Sequence, residues 1–281
     1  SQREQTGLTR WLIRRMDAVV ATSDRTNAYL ENPGHVIMHG IDTEGFAPSP
    51  DRAALRAELK LPVNATLVGC YGRIRAQKGT DAFVEAMLPI LRDNPDVVAL
   101  VMGRATEKYE SFEKGLKDRA RAEGLSDRML FLPEVPVGDM ADFYRVLDLY
   151  VAPQRWEGFG LTPIEAMACG VPVVATRVGA FEKLVVQGTT GLLVDPDDIP
   201  ALEAATRDAL SDRTRLAAWA EAGRSYVMSD FSIAREAAAL VKIYRCWRHR
   251  ARVSPPPHAR VISRWACVVR RYPPTSCSPR E

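Results

Sequence analysis

Short apolar runs alternate with longer amphipathic stretches along most of the chain, from residue 17 to about residue 195. Several of these runs, such as Val97–Met102, are apolar almost throughout, which is typical of parallel strands that are covered on both faces. The stretches between them carry apolar residues at helical spacing. This alternation predicts an α/β fold with a Rossmann-like, doubly wound parallel sheet. Strands are expected at 18–22, 36–39, 66–71, 97–102, 129–132, 149–152, 171–175 and 191–194, and helices at about 51–60, 80–93, 107–123, 139–147, 163–169 and through most of 199–250.

The two ends of the chain differ from this middle part. Residues 1–40 hold a helix and a strand pattern that complete no sheet, and the pattern changes at Pro33. We expect them to be the remnant of a preceding domain and the crossover from it, and residues 41–250 to form the main domain with its C-terminal helices. Residues 251–281 are dense in arginine, proline and cysteine. Such a segment cannot bury an apolar face, so it is expected to be disordered.

Composition and charge exclude several classes of protein. Of the 281 residues, 46% are hydrophobic and 26% are charged, as in an ordinary globular protein. No apolar run approaches the roughly 20 residues needed to span a bilayer. The net charge of +3, with no basic stripe before residue 245, argues against a nucleic-acid partner. The five cysteines lack paired spacing, which indicates a reducing cytoplasm, and Cys70 and Cys169 are expected to act as small apolar residues.

An acidic, glycine-rich loop follows the strand predicted at 149–152. Residues 157–165 read Glu-Gly-Phe-Gly-Leu-Thr-Pro-Ile-Glu, so two carboxylates bracket a turn that opens into a helix. Open α/β sheets bind their ligands at the carboxyl ends of strands. Glycines there allow the backbone to approach a ligand, and the free N–H groups of a helix start attract anions. A nucleotide sugar, which carries both hydroxyls and phosphate, fits such a loop.

The same residues also match a capping box. In that interpretation Thr162 is the N-cap, Pro163 is the first helical residue and Glu165 is the third. Glu165 would then only satisfy backbone N–H groups, and Glu157 would be an ordinary solvated acid. The two acids alone leave both interpretations open.

A basic loop follows the strand predicted at 66–71. It runs from Gly72 to Gly79 and carries Arg73, Arg75 and Lys78, and the helix behind it is expected to be capped by Thr80. Cations beside a helix N-terminus are unfavourable, because the helix dipole is already positive there. They therefore favour a bound anion, with Arg73 and Lys78 on a diphosphate, over the alternative of a solvated basic loop. Both loops lie at the carboxyl edge of one sheet and can face one ligand.

These motifs occur in an order that resembles a known family. They are followed by Glu-Ala-Met-Ala-Cys-Gly-Val-Pro-Val-Val-Ala at 165–175 and by Gly188-x-x-Gly191-Leu-Leu-Val. Over about residues 17 to 245 the chain resembles glycosyltransferase family 4, retaining enzymes of the GT-B fold, and residues 39–42 look like the crossover between its two domains. In detail it most resembles bacterial lipopolysaccharide core mannosyltransferases, which use GDP-mannose.

The resemblance implies a role for each matching residue. Arg73 and Lys78 would neutralise the donor diphosphate without a metal, and Glu165 would bind the ribose hydroxyls. Glu157 would hold the transferred sugar together with the backbone beside it. The residues carried over for donor binding are Gly72, Arg73, Lys78, Glu157, Gly158, Phe159, Gly160, Leu161 and Glu165, and those expected to take part in catalysis are Glu157, Arg73 and Lys78.

The function implied is transfer of a hexose, mannose from GDP-mannose, to a lipopolysaccharide core or related lipid-linked glycan. It would take place in the cytoplasm at the inner membrane face, with no metal or other cofactor. Alternatives are a UDP-sugar-dependent hexosyltransferase and a catalytically inactive nucleotide-sugar-binding fragment. The acceptor domain expected upstream of residue 17 is nearly all missing, so the truncated chain is expected to be inactive alone.

Three segments depart from the family pattern or imitate another site. The family's Gly-Gly-x-x-Glu run is replaced here by Gly179-Ala180-Phe181-Glu182. Asp195-Pro196-Asp197 matches a short metal-binding pattern of other glycosyltransferases, but its place between a strand and a helix favours turn and capping roles. His35 and His39 are assigned to the linker strand, not to a metal.

Overall fold

A computed structural model of the chain describes residues 6–253, and the side chains of residues 6–246. By internal contacts the chain divides into two units, Ser1–Ala237 and Ala238–Glu281. Within the described residues the second unit consists of the rest of the last helix. No helix among residues 6–253 is both long and apolar enough to cross a membrane.

The first unit is built around a six-stranded, fully parallel sheet. Its strands are β3 (Thr66–Tyr71), β4 (Val97–Met102), β5 (Met129–Leu132), β6 (Leu149–Ala152), β7 (Val173–Thr176) and β8 (Gly191–Val194), in the order β5-β4-β3-β6-β7-β8. A separate parallel pair precedes it, formed by β1 (Val20–Ala21) and β2 (His35–Val36). The strand order reverses between β3 and β6, which is the switch point where such sheets open a crevice.

Eleven helices lie among the described residues. They are α1 (Gly7–Ile13), α2 (Asp24–Asn27), α3 (Arg52–Glu58), α4 (Thr80–Asp93), α5 (Glu110–Ala122), α6 (Met140–Arg145), α7 (Thr162–Ala168), α8 (Phe181–Leu184), α9 (Ile199–Ser211), α10 (Arg213–Asp230) and α11 (Ile233–Val253). Short 3-10 turns precede α4, α5 and α6. The expected α/β fold with a Rossmann-like doubly wound sheet is therefore confirmed.

Side chains on the two faces of β3 belong to two different core clusters. Leu67 and Tyr71 pack into one cluster, whereas Val68 and Cys70 pack into the other. All six residues of β4 are buried, which explains why its sequence is apolar throughout. Cys70 and Cys169 are free and buried, and burial raises the pKa of each thiol to about 12. They act as the small apolar residues that the sequence indicates.

Several expected boundaries differ from the observed ones. The strand expected at 171–175 begins at Val173, because Val171 donates its N–H to Ala166 of α7 and Pro172 has none to give. The strand expected at 36–39 is only His35–Val36, so His39 lies outside it. Helix α11 continues to Val253, three residues into the tail expected to be disordered. Residues 254–281 of that tail lie outside the described residues.

A buried arginine joins α3 to the amino ends of β3 and β6. The Arg56 side chain is almost fully buried and donates to the carbonyl oxygens of Val146, Val63 and Ala65. It also pairs with Asp148 at 2.8 Å. Asp148 in turn accepts the backbone N–H of Leu67 at the start of β3. The carboxylate and the guanidinium therefore satisfy each other and four backbone groups.

We expect Arg56→Ala to lower the free energy of unfolding by about 3–5 kcal/mol, because it removes the buried partner of Asp148 and the donor to three backbone carbonyl oxygens. Arg52 is the matched control, since it pairs with the other oxygen of Asp148 at 2.7 Å but is 45% exposed. Arg52→Ala should cost about 1 kcal/mol or less. Urea unfolding of both variants measures the difference, and equal losses would contradict it.

Candidate functional site

The basic and the acidic loop meet at the carboxyl edge of the sheet. β3 pairs directly with β6, so the loops that follow these strands start side by side. At Gly79 the backbone has a φ of 70°, and a Cβ there would overlap the carbonyl oxygen of Pro153 in the acidic loop. The two loops are thus in contact through a glycine whose conformation and lack of a side chain are both required.

An ion pair connects the two loops. The Lys78 Nζ lies 2.5 Å from Glu157 Oε2, and Glu157 Oε1 accepts the backbone N–H of Gly158 at 3.1 Å. The Lys78 side chain is 25% exposed and that of Glu157 is 15% exposed. Two residues that the sequence analysis assigns to the diphosphate and the sugar are therefore brought together, and in this structure they bind each other.

The other cations of the basic loop are placed differently. Arg73 is exposed, and the structure gives its guanidinium no hydrogen bond or ion pair with the residues it describes. Gly72 precedes it with a φ of 138°, and the space where a Cβ would lie is open. Arg75 is half-buried, and its Nε finds no partner among the described side chains and backbone. Among the described residues, Arg73 is therefore an exposed cation at this edge that an anion can reach.

Glycines shape the acidic loop around Glu157. Gly160 has a φ of 80°, and a Cβ there would overlap the ring of Phe181 and the Cγ of Glu157. A Cβ on Gly179 would overlap the carbonyl oxygen of Glu157. Within the run that departs from the family pattern, Glu182 is exposed and faces Arg25 at 3.5 Å. Gly179 therefore packs directly against the backbone of Glu157, the candidate sugar-binding acid.

The other expected site residues sit at the start of α7. Phe159 is buried, Gly158 is half-buried and Leu161 is exposed. Leu161 is the N-cap in helical conformation, with a φ of −77° and a ψ of −26°, and no side chain caps the helix. Thr162 is therefore already helical, and the capping-box interpretation is wrong. The N-cap expected at Thr80 is wrong for a similar reason, because Gly79 occupies that position in the left-handed conformation.

Glu165 faces a tyrosine instead of the helix start. The Tyr144 hydroxyl donates to Glu165 Oε2 at 2.8 Å, and Tyr144 packs against Tyr71 and Tyr150. Burial raises the pKa of Glu165, while the bond from Tyr144 opposes that rise. Burial also raises the pKa of Tyr144 well above its ordinary value, so the phenol stays protonated and remains a donor.

Arg155 is a site residue that the sequence analysis missed. Its guanidinium makes two bonds to Asp81 at 2.6 and 2.9 Å, one to Asp197 at 2.5 Å and one to the carbonyl of Ala76. Its backbone N–H donates to Gln77 at 3.1 Å. The acidic loop, the basic loop, α4 and the turn before α9 are thereby joined. No local spacing signals these contacts.

The Asp-Pro-Asp segment at 195–197 binds Arg155 and forms a turn. Asp197 has a φ of 67° and binds Arg155, while Asp198 caps α9 by accepting the N–H of Ala201 at 2.9 Å. Asp195 faces Arg177 at 3.6 Å. The expected turn is confirmed for this segment, whereas the cap of α9 is the next residue, Asp198.

The crossover segment also contacts the acidic loop. His39 packs edge-on against Phe159 at 5.1 Å, and its Nδ1 lies 2.9 Å from Glu236. Glu236 accepts the N–H of Gly40 at 2.8 Å as well. The Ser23 hydroxyl donates to the carbonyl of Gly158 at 3.3 Å. The assignment of His39 to a strand is wrong, because β2 ends at Val36, and His39 lies instead beside Phe159.

Comparison with known proteins yields matches over most of the chain. The family model described as "Glycosyl transferases group 1" matches residues 51–226. The lipopolysaccharide core biosynthesis mannosyltransferase LpsB of Rhizobium meliloti (strain 1021) is 51% identical over 246 residues, 87% of this chain and 70% of the relative. A second such mannosyltransferase, LpcC of Rhizobium leguminosarum bv. viciae, is 47% identical over 244 residues, 87% of this chain and 68% of the relative. The resemblance stated from the motifs is confirmed.

Solved structures show the same fold. The C-terminal domain of a group 1 family glycosyl transferase, LpcC from Francisella tularensis, is 32% identical with a TM-score of 0.66, covering 69% of this chain and 100% of that domain. HepE from Anabaena in complex with UDP is 23% identical with a TM-score of 0.79, covering 88% of this chain and 70% of that one. The sheet described above is thus that of the C-terminal domain of a GT-B fold.

The buried position of Glu165 predicts a pH dependence of stability. Because folding raises its pKa above the ordinary 4.5, the protein loses stability as the pH rises from 4.5 through the folded-state pKa. Glu165→Gln keeps an acceptor for Tyr144 but does not titrate, so its free energy of unfolding should increase relative to that of the parent as the pH rises. Tyr144→Phe should make the stability depend more strongly on pH than in the parent, because the hydrogen bond that lowers the pKa of Glu165 is lost. Urea unfolding from pH 4 to 8 measures both, and parallel curves for all three proteins would contradict the assignment.

Proposed function

We propose a donor-binding role for this chain, which belongs to the glycosyl transferases of group 1. The nucleotide sugar would bind at the edge where β3 and β6 end. The observation that carries this proposal is the meeting of a basic and an acidic loop at the switch point of the sheet, with Lys78 beside Glu157 and Arg73 free. The chain would form the donor half of a retaining hexosyltransferase.

The residues at this edge have chemistry suited to each part of the donor. Arg73 and Lys78 would supply positive charge for the diphosphate, and the Leu161 N–H lies at the start of α7, where anions are favoured. Glu165, which accepts a hydrogen bond from Tyr144, would accept from the ribose hydroxyls, and Glu157 would accept from those of the transferred sugar. Gly72 leaves open space before Arg73, which lets the ligand approach the backbone.

These groups would act by preorganised electrostatics. As the glycosidic bond breaks, negative charge develops on the departing diphosphate, and Arg73 and Lys78 would stabilise it. The sugar would leave as an oxocarbenium-like species whose hydroxyls Glu157 holds in place. In a retaining reaction the acceptor attacks from the face that the diphosphate leaves. The proposal assigns no step to a metal ion.

The names of two relatives suggest the donor and the acceptor. LpsB and LpcC, the two relatives above, are called lipopolysaccharide core biosynthesis mannosyltransferases. We therefore propose GDP-mannose as the donor and a lipopolysaccharide core or related lipid-linked glycan as the acceptor, at the cytoplasmic face of the inner membrane. The alternative donor is a UDP-sugar, and titration with both nucleotides separates the two.

Nucleotide binding tests the role of the basic loop. Lys78→Ala should weaken GDP binding by about 1.5–3 kcal/mol, the value of a charge-assisted contact. Lys114→Ala is the control, because Lys114 lies on α5, is 77% exposed and pairs with Asp118 alone among the described side chains. Calorimetry with GDP and UDP, with and without EDTA, measures the effect. Unchanged affinity in Lys78→Ala, or loss of binding in EDTA, would refute the assignment.

Sugar transfer tests what the chain does alone. The 281-residue polypeptide is expected to bind the donor without transferring its sugar, with slow hydrolysis at most. Transfer requires an oriented acceptor hydroxyl and the exclusion of water, and we propose neither role for a residue among 6–253. The assay uses GDP-mannose and a purified core acceptor, with full-length LpsB as the positive control. Clear transfer by the polypeptide would show that the acceptor site lies elsewhere.

A further inference from the structure

We propose that the ion pair between Lys78 and Glu157 is a latch that makes the site prefer a nucleotide sugar over the free nucleoside diphosphate. The inference rests on the proposed function, since it concerns the same two residues. The addition is that the Lys78–Glu157 ion pair must open before either residue can bind the ligand. Removing the acid should therefore strengthen the binding of one ligand and weaken that of the other.

In the ligand-free site Lys78 and Glu157 are already paired with each other. The Lys78 Nζ has Glu157 as its one charged partner among the described residues, at 2.5 Å. Glu157 uses its second oxygen for the N–H of Gly158 at 3.1 Å. The cation that a diphosphate needs is thus neutralised, and the carboxylate that a sugar needs is satisfied. Neither can serve a ligand fully without loosening this pair.

The backbones that carry the pair are braced by further contacts, so the two side chains can separate while the loops stay in place. Arg155 joins both loops, through the carbonyl of Ala76 and through its position two residues before Glu157. A Cβ on Gly179 would overlap the Glu157 carbonyl oxygen, so these segments touch. The Lys78 N–H donates to Arg75 at 2.9 Å inside the 3-10 turn. No movement of a loop is needed.

A nucleotide sugar and a free nucleoside diphosphate differ in the hydrogen-bond donors that they offer to Glu157 once Lys78 has left it. A diphosphate that recruits Lys78 brings negative charge beside Glu157, which is unfavourable in a partly buried place. A nucleotide sugar supplies hydroxyl donors that satisfy the released carboxylate. A free nucleoside diphosphate supplies none, so Glu157 stays unpaired or keeps Lys78 for itself. The latch therefore favours the donor over the product that remains after transfer.

The test compares the two ligands in Glu157→Gln. The variant should bind GDP more tightly, by roughly tenfold if the competing contact equals one charge-assisted bond. GDP-mannose should bind no more tightly than before, so the preference for donor over product falls or inverts. Calorimetry measures both affinities, and a parallel series with UDP and UDP-glucose keeps the choice of base from deciding the outcome.

Matched variants separate the latch from other effects. Glu165→Gln should weaken both ligands alike, because the ribose is common to them. Glu113→Gln, on α5 and paired only with Lys117, should change neither. In a Lys78→Ala background the gain in GDP binding from Glu157→Gln should be smaller, and the difference is the coupling that a double-mutant cycle measures. Urea unfolding verifies that each protein is folded, and Glu157→Ala replaces Glu157→Gln if the latter does not fold.

The outcomes distinguish this inference from the function on which it rests. If the parent binds neither GDP nor UDP, the proposed function fails and the latch with it. If the parent binds nucleotide but Glu157→Gln leaves GDP affinity unchanged or reduces it, the latch alone is refuted. Tighter GDP together with unchanged or weaker GDP-mannose supports it.

Discussion

The parallel pairing of β3 with β6 is the constraint on which the candidate site depends. Val68 pairs with Leu149 and Gly69 with Tyr150, so both strands end at the same edge. From there β4 and β5 extend the sheet to one side, while β7 and β8 extend it to the other. The divergence opens a crevice between two loops that lie 79 residues apart in sequence. Lys78 and Glu157 can therefore meet across this crevice.

Two kinds of cation serve this crevice in different ways. Arg155 has a planar guanidinium that donates four hydrogen bonds, to Asp81, Asp197 and a backbone carbonyl, and the bonds to the two carboxylates raise its pKa. Its charge is therefore already paired with Asp81 and Asp197. Lys78 carries a compact ammonium on a flexible stem with a single acidic partner, so it can exchange that partner for another anion. The arginine holds the loops together, and the lysine remains able to respond.

Local pattern was enough to predict the sheet and the two loops, but not the contacts that organise them. Apolar runs located β3 to β6 and β8 because each is bounded by turns and covered on both faces. The caps failed because Gly79 and Leu161 adopt conformations set by tertiary contact, the first against Pro153. Tyr144, Arg155 and His39 find their partners 21 to 197 residues away. Residue type and spacing carry no information about such distances.

The separation of these partners also fixes when the site can exist during synthesis. The chain emerges from its amino end, and Lys78 and Glu157 can meet once β6 has formed. Arg155 obtains its second carboxylate only when Asp197 has been made, 42 residues later. The contact of His39 with Glu236 can form only later still, since Glu236 lies 197 residues beyond His39. A nascent chain therefore carries both loops well before the braces that hold them, and its crevice acquires its final shape only when the start of α11 has left the ribosome.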